Sequence, residues 1–197
     1  MENLKIVMVG AGNVTTHLTK AFVEKGVQII QIYSFTENSA ATLANKYGIP
    51  FTSNINELNP QADIYIYTIK DDVLPEFIAN DFSKDKIHIH TAGSVGIDIF
   101  QNYKSNFGVL YPLQTFSKDK EVKLSEIPVF IESSSKEVEH KIKQLASILT
   151  DKIYFISSEQ RLSLHISAVF ACNFVNYMYF LANNLVEKSG LDFQVLK

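Results

Sequence analysis

The chain has 197 residues, 18 Lys and Arg against 21 Asp and Glu for a net charge of −3, and 46% hydrophobic side chains. A chain of this length hides about 70% of the surface its unfolded form exposes, so a full core is expected. With only eight glycines and five prolines, collagen, long linkers and intrinsic disorder are excluded. Arg161 is the sole arginine, and the acidic balance leaves no electrostatic footprint for a phosphate backbone, so nucleic acid is not an expected partner. The single cysteine, Cys172, makes no internal disulfide and reads as a small core residue, and Met1-Glu2-Asn3 lacks the basic start of a secretory leader. Both point to a reducing cytoplasm.

Apolar stretches of strand length alternate with segments of helical period. Leu4 to Val9 predicts a buried first strand, and Val14, Leu18, Ala21 and Phe22 give one helix stripe that ends at Gly26. Val27 to Tyr33 is a second strand, followed by a stripe through Ala40, Leu43, Ala44 and Tyr47. Phe51-Thr52 predicts a short third strand and Asp63 to Ile69 a fourth, with an amphipathic turn or two through Leu74 and Phe77. Further strands are expected at Lys86 to Thr91, Val109 to Tyr111, Val129 to Ile131 and Ile153 to Ile156, with a polar loop over Lys118 to Glu126. Ser134 with Glu137 has the spacing of a capping box for a helix carrying Val138, Ile142, Leu145 and Leu149. The expected class is α/β, a doubly wound parallel Rossmann-type sheet over residues 1–156.

Residues 157–197 differ in kind. Ser157 and Gln160 again have capping-box spacing, and no glycine or proline interrupts the run to Gly190, which predicts a helix of roughly 45 Å at about 1.5 Å per residue. It is apolar all round, so something must surround it. The stretch from Leu164 to Ala182 is 19 residues and long enough for a membrane span, but His165, Ser167, Asn173 and Asn176 make that expensive. A homodimer through this all-helical region is the expectation instead. Leu191 to Lys197 reads as the start of another helix, so the region is open to continuing further.

Gly10-Ala11-Gly12-Asn13-Val14-Thr15 directly follows the first strand and opens a helix, the setting a dinucleotide fingerprint requires. Gly10 permits the sharp turn. Gly12 keeps side chains away from the N–H groups of Asn13 and Val14, where a diphosphate is favoured. Thr15 stands where a third glycine is usual. At the end of the second strand, Ser34-Phe35-Thr36 offers two hydroxyls and no carboxylate, which leans toward NADP and leaves NAD open. A tight turn over an empty anion pocket is the bland alternative.

The Gly10 to Val14 turn, Tyr67-Thr68-Ile69-Lys70, His90-Thr91-Ala92-Gly93-Ser94 and Tyr111-Pro112-Leu113-Gln114-Thr115-Phe116 together resemble a bacterial family of Rossmann-like NADP oxidoreductases with a poorly characterised helical C-terminal domain. That family is similar to pyrroline-5-carboxylate reductase, deazaflavin-dependent NADP oxidoreductase and the 6-phosphogluconate dehydrogenase superfamily. The stretches Gln160 to His165 and Ala171 to Phe174 also resemble it. The resemblance implies that Thr68, Ile69 and Lys70 lie beside the nicotinamide half of the cofactor, with Asp71 in place of the proline closing the Ala-Val-Lys-Pro signature. It implies that Ala92-Gly93 approaches the nicotinamide ring, and it puts Phe35 where relatives often carry an arginine. It names a chemistry class and no substrate.

Hydride transfer requires the protein to orient a carbonyl or imine carbon and to stabilise charge on the heteroatom. Ser94, Lys70 and Thr91 sit at the strand ends, His165 is the candidate proton donor, and Asn173 and Asn176 are candidate orienting amides. On a regular helix Asn173 lies about 80° from His165 and roughly 12 Å along the axis, so the two cannot grip one atom. Each has a bland reading as a hydrogen-bonded core residue. His88 and His90 share a strand face, but no third ligand accompanies them, so no metal is expected. The Tyr111-Pro112 turn reads as a loop support. The expected function is NADP-dependent reduction of a small carbonyl or imine substrate, with a non-catalytic NADP sensor or scaffold as the rival.

Overall fold

The computed structural model describes residues 4–80 and 83–196. Residues 1–3, on which the leader reading rests, and Lys197 lie outside the described residues. One eight-stranded sheet organises the chain, in the order β3-β2-β1-β4-β5-β6-β7-β8. The strands are β1 (Lys5–Val9), β2 (Gln28–Tyr33), β3 (Phe51–Thr52), β4 (Ile64–Tyr67), β5 (Ile87–His90), β6 (Asn106–Pro112), β7 (Val129–Ser133) and β8 (Ile153–Phe155). The helices are α1 (Asn13–Glu24), α2 (Glu37–Ala44), α3 (Leu74–Asn80), α4 (Lys136–Leu149), α5 (Ser158–Ala168) and α6 (Val175–Lys188).

At the centre of the sheet, in β1 and β4, both faces are dry, which is why those strands read as continuous apolar runs rather than alternating ones, whereas β8 at the edge leaves Tyr154 and Phe155 half exposed. Ile6 and Met8 point to one core with Leu18 and Phe22 of α1 and Ile142 and Leu145 of α4. Val7 and Val9 point to the other, with Tyr65, Tyr67, Phe77 and Phe100. The first six strands are parallel in the doubly wound order, so the crevice between β1 and β4 opens at their carboxyl ends.

The sheet is mostly parallel. β7 runs antiparallel to β6, and β8 runs parallel to β7. This reversal has a topological result. β8 carries the chain away from the carboxyl edge of the first six strands, so α5 starts beside the middle of β6, at the level of Val109, and climbs back. Its first residues hold Glu132 of β7, with Ser158 N–H donating to one carboxylate oxygen at 2.9 Å and the Ser158 hydroxyl to the other at 2.7 Å. Two turns later His165 stands against Tyr111, next to the end of β6.

Arg161 fixes that climb. It is 1% exposed, and its guanidinium pairs with Glu132 while donating to the Val95 carbonyl at 2.5 Å and the Ser158 hydroxyl at 3.1 Å. The Ser157 capping box is present in both directions, with Gln160 returning the bond. At α4 the cap is Ser135, whose hydroxyl accepts from Val138 N–H, and not Ser134. Ser134 is held by the sheet instead, since its N–H and its hydroxyl both bond Phe107 of β6.

From Ser158 to Lys188 the helical run is 31 residues, with a π-helical segment, Val169–Phe174, between α5 and α6. Length and composition would allow it to cross a membrane. Beyond Ala168 it leaves the sheet, and Phe170, Phe174, Tyr177, Met178, Tyr179 and Phe180 are exposed. Cys172, expected in the core, is exposed for the same reason.

Removing one partner of a buried ion pair strands the other charge, at a cost of about 3–5 kcal/mol. Glu132→Leu alone should therefore lower the unfolding free energy by roughly that amount, and Glu132→Leu with Arg161→Met should recover most of it. Urea denaturation of the three proteins checks this; equal stability of the single and double variants would show that the pair does not hold the helix.

Candidate functional site

The two glycines of the first turn have different reasons to be glycine. Gly10 has φ +124°, and a Cβ there would lie 2.5 Å from Thr68 Oγ1 and 3.1 Å from the Thr68 backbone, so the fold itself excludes a side chain. Gly12 has an ordinary backbone, with φ −85°, and a Cβ there would meet nothing within 4 Å. Folding does not demand a glycine at that position. What the missing side chain leaves open is the mouth of α1, which has no side-chain cap and no acidic residue in its first turn. The backbone N–H groups of Asn13 and Val14 thus lie at a helix N-terminus suited to an anion.

The neighbouring side chains brace this mouth. Thr68 donates to the Val9 carbonyl at 3.1 Å, so the 2.5 Å contact between its hydroxyl and that of buried Thr15 is donated by Thr15. Thr15 therefore bonds the helix to the end of β4 where a third glycine would have allowed a closer approach. The Asn13 amide donates to the Phe116 carbonyl at 2.8 Å, and the His17 ring lies 2.8 Å from the Ser117 carbonyl. These two bonds hold the segment after β6 against α1, a use of Asn13 that its place in the fingerprint did not announce.

At the end of β2, Ser34 is half-buried and Phe35 is 56% exposed. The Thr36 hydroxyl donates to Ser39 at 2.7 Å within the start of α2. Tyr33, Phe35 and Phe77 meet edge to face or tilted, with centroids 5.0 to 5.9 Å apart. They line one wall of a cavity of about 400 Å³ that also touches Val73, Asn56 and Asn80.

The remaining residues gather at the ends of β4, β5 and β6. Thr68 and Ile69 are half-buried and Lys70 is exposed. Ser94 is exposed and donates to the Asp71 carboxylate, the residue that replaces the signature proline. Ala92 N–H donates to His90 Nδ1 at 3.2 Å. Gly93 is buried because His165 lies on it: a Cβ at Gly93 would be 2.5 Å from His165 Nδ1 and 2.9 Å from Tyr111 Cζ. Gly93, Tyr111 and His165 thus come together from β5, β6 and α5. Tyr111, which reads from sequence as a loop support, instead bonds the His165 ring. Its place at the carboxyl end of a strand was the available signal.

Asn173 is exposed, within the π-helical segment. A π turn advances about 80° per residue rather than about 100°, so the segment rotates Asn173 back to within roughly 20° of the His165 direction. Along the axis the two still stand on the order of 10 Å apart, so they face the same side without sharing an atom.

His88 and His90 are both buried. The His88 ring lies 2.7 Å from the Tyr67 hydroxyl and 2.5 Å from the Ser83 carbonyl. Burial pushes the His90 pKa down to about 3, the Arg161 charge adds to this, and the Gly96 backbone opposes it. In the unfolded chain the same group titrates near 6.5. Its contribution to stability is complete above that pH and is lost as the pH falls toward 3, at about 1.4 kcal/mol per pH unit. The stability difference between wild type and His90→Leu should shrink by about that slope between pH 6 and 4 in urea denaturation. A pH-independent difference would mean that His90 is not buried neutral.

Residues 5–93 match the family described as "NADP oxidoreductase coenzyme F420-dependent", and residues 127–197 match a domain of unknown function, DUF2520. No curated protein matches the chain. Among solved structures, BF3122 from Bacteroides fragilis, described as an NADP oxidoreductase, is 44% identical with a TM-score of 0.90, over 99% of this chain and 76% of that one. A pyrroline-5-carboxylate reductase from Coxiella burnetii shares the fold at 12% identity and TM-score 0.73, over 98% of this chain and 74% of its own. A reductive aminase from Aspergillus terreus, in complex with NADPH and ethyl levulinate, does so at 11% and 0.77, over 98% and 70%. With the glycine turn, the doubly wound strand order and a 44% identical relative in agreement, the chain belongs to the NADP oxidoreductase family that includes the Bacteroides fragilis protein.

Proposed function

We propose that the chain binds NADP, with NAD as the alternative, and reduces a small carbonyl or imine compound. The observation that carries this reading is Gly12: a position that neither backbone angle nor packing requires to be glycine, directly in front of an uncapped helix N-terminus. The residues present fit the cofactor. Asn13 and Val14 N–H groups would hold its diphosphate, Ser34 and Thr36 would meet the ribose phosphate, and the Phe35 and Phe77 cavity would take the adenine. Thr68, Ile69, Lys70, Ala92 and Gly93 would border the nicotinamide.

The bound cofactor supplies the hydride. The chain supplies orientation and a proton: His165 stands where a heteroatom above Gly93 would meet its ring, with Ser94 and Asn173 as polar groups on either side. The fold neighbours include a pyrroline-5-carboxylate reductase and a reductive aminase, which supports a carbon–nitrogen or carbon–oxygen double bond as the reacting group.

The exposed apolar helix supports a homodimer. Phe170, Phe174, Met178 and Leu185 are each about half exposed or more, a continuous apolar surface of the kind that marks an interface. Anchorage of α5 to Glu132 and the amides Asn173, Asn176, Asn183 and Asn184 favour a second subunit over lipid, and the single cysteine supports a cytoplasmic location.

Gly12→Val should weaken NADPH binding by more than about tenfold, or 1.4 kcal/mol, in a fluorescence titration while leaving the melting temperature nearly unchanged. Retained affinity would remove the cofactor reading. His165→Phe should lower turnover about a hundredfold with NADPH affinity intact. Tight NADPH binding without turnover across a panel of imines and keto compounds would instead favour a sensor. Met178→Glu with Phe174→Glu should convert a dimer to a monomer in light scattering, and a wild-type monomer would dispose of the interface.

A further inference from the structure

We propose that Tyr111 is the positioning residue for His165: its hydroxyl donates to Nδ1 of the neutral ring, placing the ring proton on Nε2 and leaving Nε2 as the nitrogen that meets a substrate. This rests on the proposed function only for its catalytic consequence.

The geometry fixes the ring from two sides. Tyr111 Oη lies 2.9 Å from His165 Nδ1, and the two rings meet edge to face with centroids 5.9 Å apart and planes at 72°. Beneath them Gly93 has no side chain, and a Cβ there would fall 2.5 Å from Nδ1 and 2.7 Å from Cγ. The ring is seated on the β5 turn. Flipping it by a half-turn would replace Nδ1 by a carbon at the Tyr111 hydroxyl and leave a largely buried phenol without an acceptor, which costs about 1–3 kcal/mol. The seat and the bond thus select one ring orientation. Nδ1 is the one acceptor bonded to the Tyr111 hydroxyl among the described residues, so with a neutral ring the buried phenol donates and the ring proton sits on Nε2.

The phenol suits this task in both protonation states of the ring. As a hydroxyl it donates to Nδ1 of a neutral imidazole, and by rotating its own proton away it accepts from Nδ1–H of an imidazolium. Burial raises the Tyr111 pKa, Arg161 opposes that and Asp71 adds to it, so the hydroxyl keeps its proton across the neutral range. The charged groups that bear on Tyr111 are Arg161 from α5 and Asp71 from the segment after β4. Among the described residues, no protein group occupies His165 Nε2. Proton donation by His165 would move the Nε2 proton of an imidazolium to the substrate heteroatom and leave the remaining proton on Nδ1, facing the Tyr111 oxygen, only until Nε2 takes up a proton from water and the imidazolium is restored.

The test uses the full chain labelled with ¹⁵N-histidine and long-range ¹H–¹⁵N spectra above pH 8, with the His165→Gln spectrum identifying the His165 signals. The expected result is a single His165 tautomer, protonated at Nε2 and acceptor at Nδ1. In Tyr111→Phe the two nitrogen signals should move toward each other, as two tautomers and two ring orientations exchange. A wild-type ring protonated at Nδ1, or a variant spectrum identical to wild type, overturns the proposal. If Tyr111→Phe does not fold, the wild-type tautomer alone decides. The spectra need neither cofactor nor substrate, so this proposal and the oxidoreductase reading fail separately: absent NADPH binding sinks the second and leaves the first standing.

Discussion

A buried guanidinium against a carboxylate decides where the long helix begins. Arg161 and Glu132 are the one ion pair among those described whose partners are both largely hidden, and Ser158, Ile97 and Val95 bond into the same cluster. Desolvating such a pair is costly unless its lone pairs and protons are matched, and Glu132 is matched on both oxygens. The reward is rigidity. α5 leaves β8 at a fixed point, so a residue one turn beyond Arg161 reaches the carboxyl edge at a fixed height, and that residue is His165.

The reversal of β7 and β8 gives the anchor its use. Had the last strands continued parallel, the chain would have emerged already at the carboxyl edge and the following helix would have led away from it. Running backward, β8 delivers α5 to the level of Val109 in the middle of β6, and the helix climbs from there to Tyr111. The site is therefore assembled from two chain segments with separate supports. The glycine turn, β2 end and β4 end come from the opening β-α-β units, and Tyr111 and His165 come from β6 and α5. Asn13 and His17 bind the segment after β6 to α1, so the two halves are also bonded directly.

The glycine turn and the strand order were legible because they depend on local pattern: an apolar run, a side-chain-free turn and a helical stripe leave a readable mark. The antiparallel step was not, since a strand reads alike in either direction and the polar loop before β7 hides its course. The cap of α4 was misplaced by one residue because Ser134 and Ser135 are chemically equal, and only the pairing of Ser134 with Phe107 separates them. Cys172 looked like core because its neighbours are apolar, while its exposure depends on the helix leaving the sheet. His165 could be named from its oddity on an apolar helix. Tyr111 read only as a loop support, because its bond to His165 exists only where two elements 54 residues apart in sequence meet.

The wide turn at Val169–Phe174 separates two demands on one rod. Upstream, the angular setting of the side chains is dictated by the sheet through Arg161 and His165. Downstream, after the slackened winding has absorbed an additional residue, the face shown to the outside is set afresh. A single uninterrupted coil would have tied the exposed face carrying Phe174 and Met178 to the same angular phase as His165 on Gly93. With the break between them, the outer half is free to drift in composition and contact while the inner half stays in register.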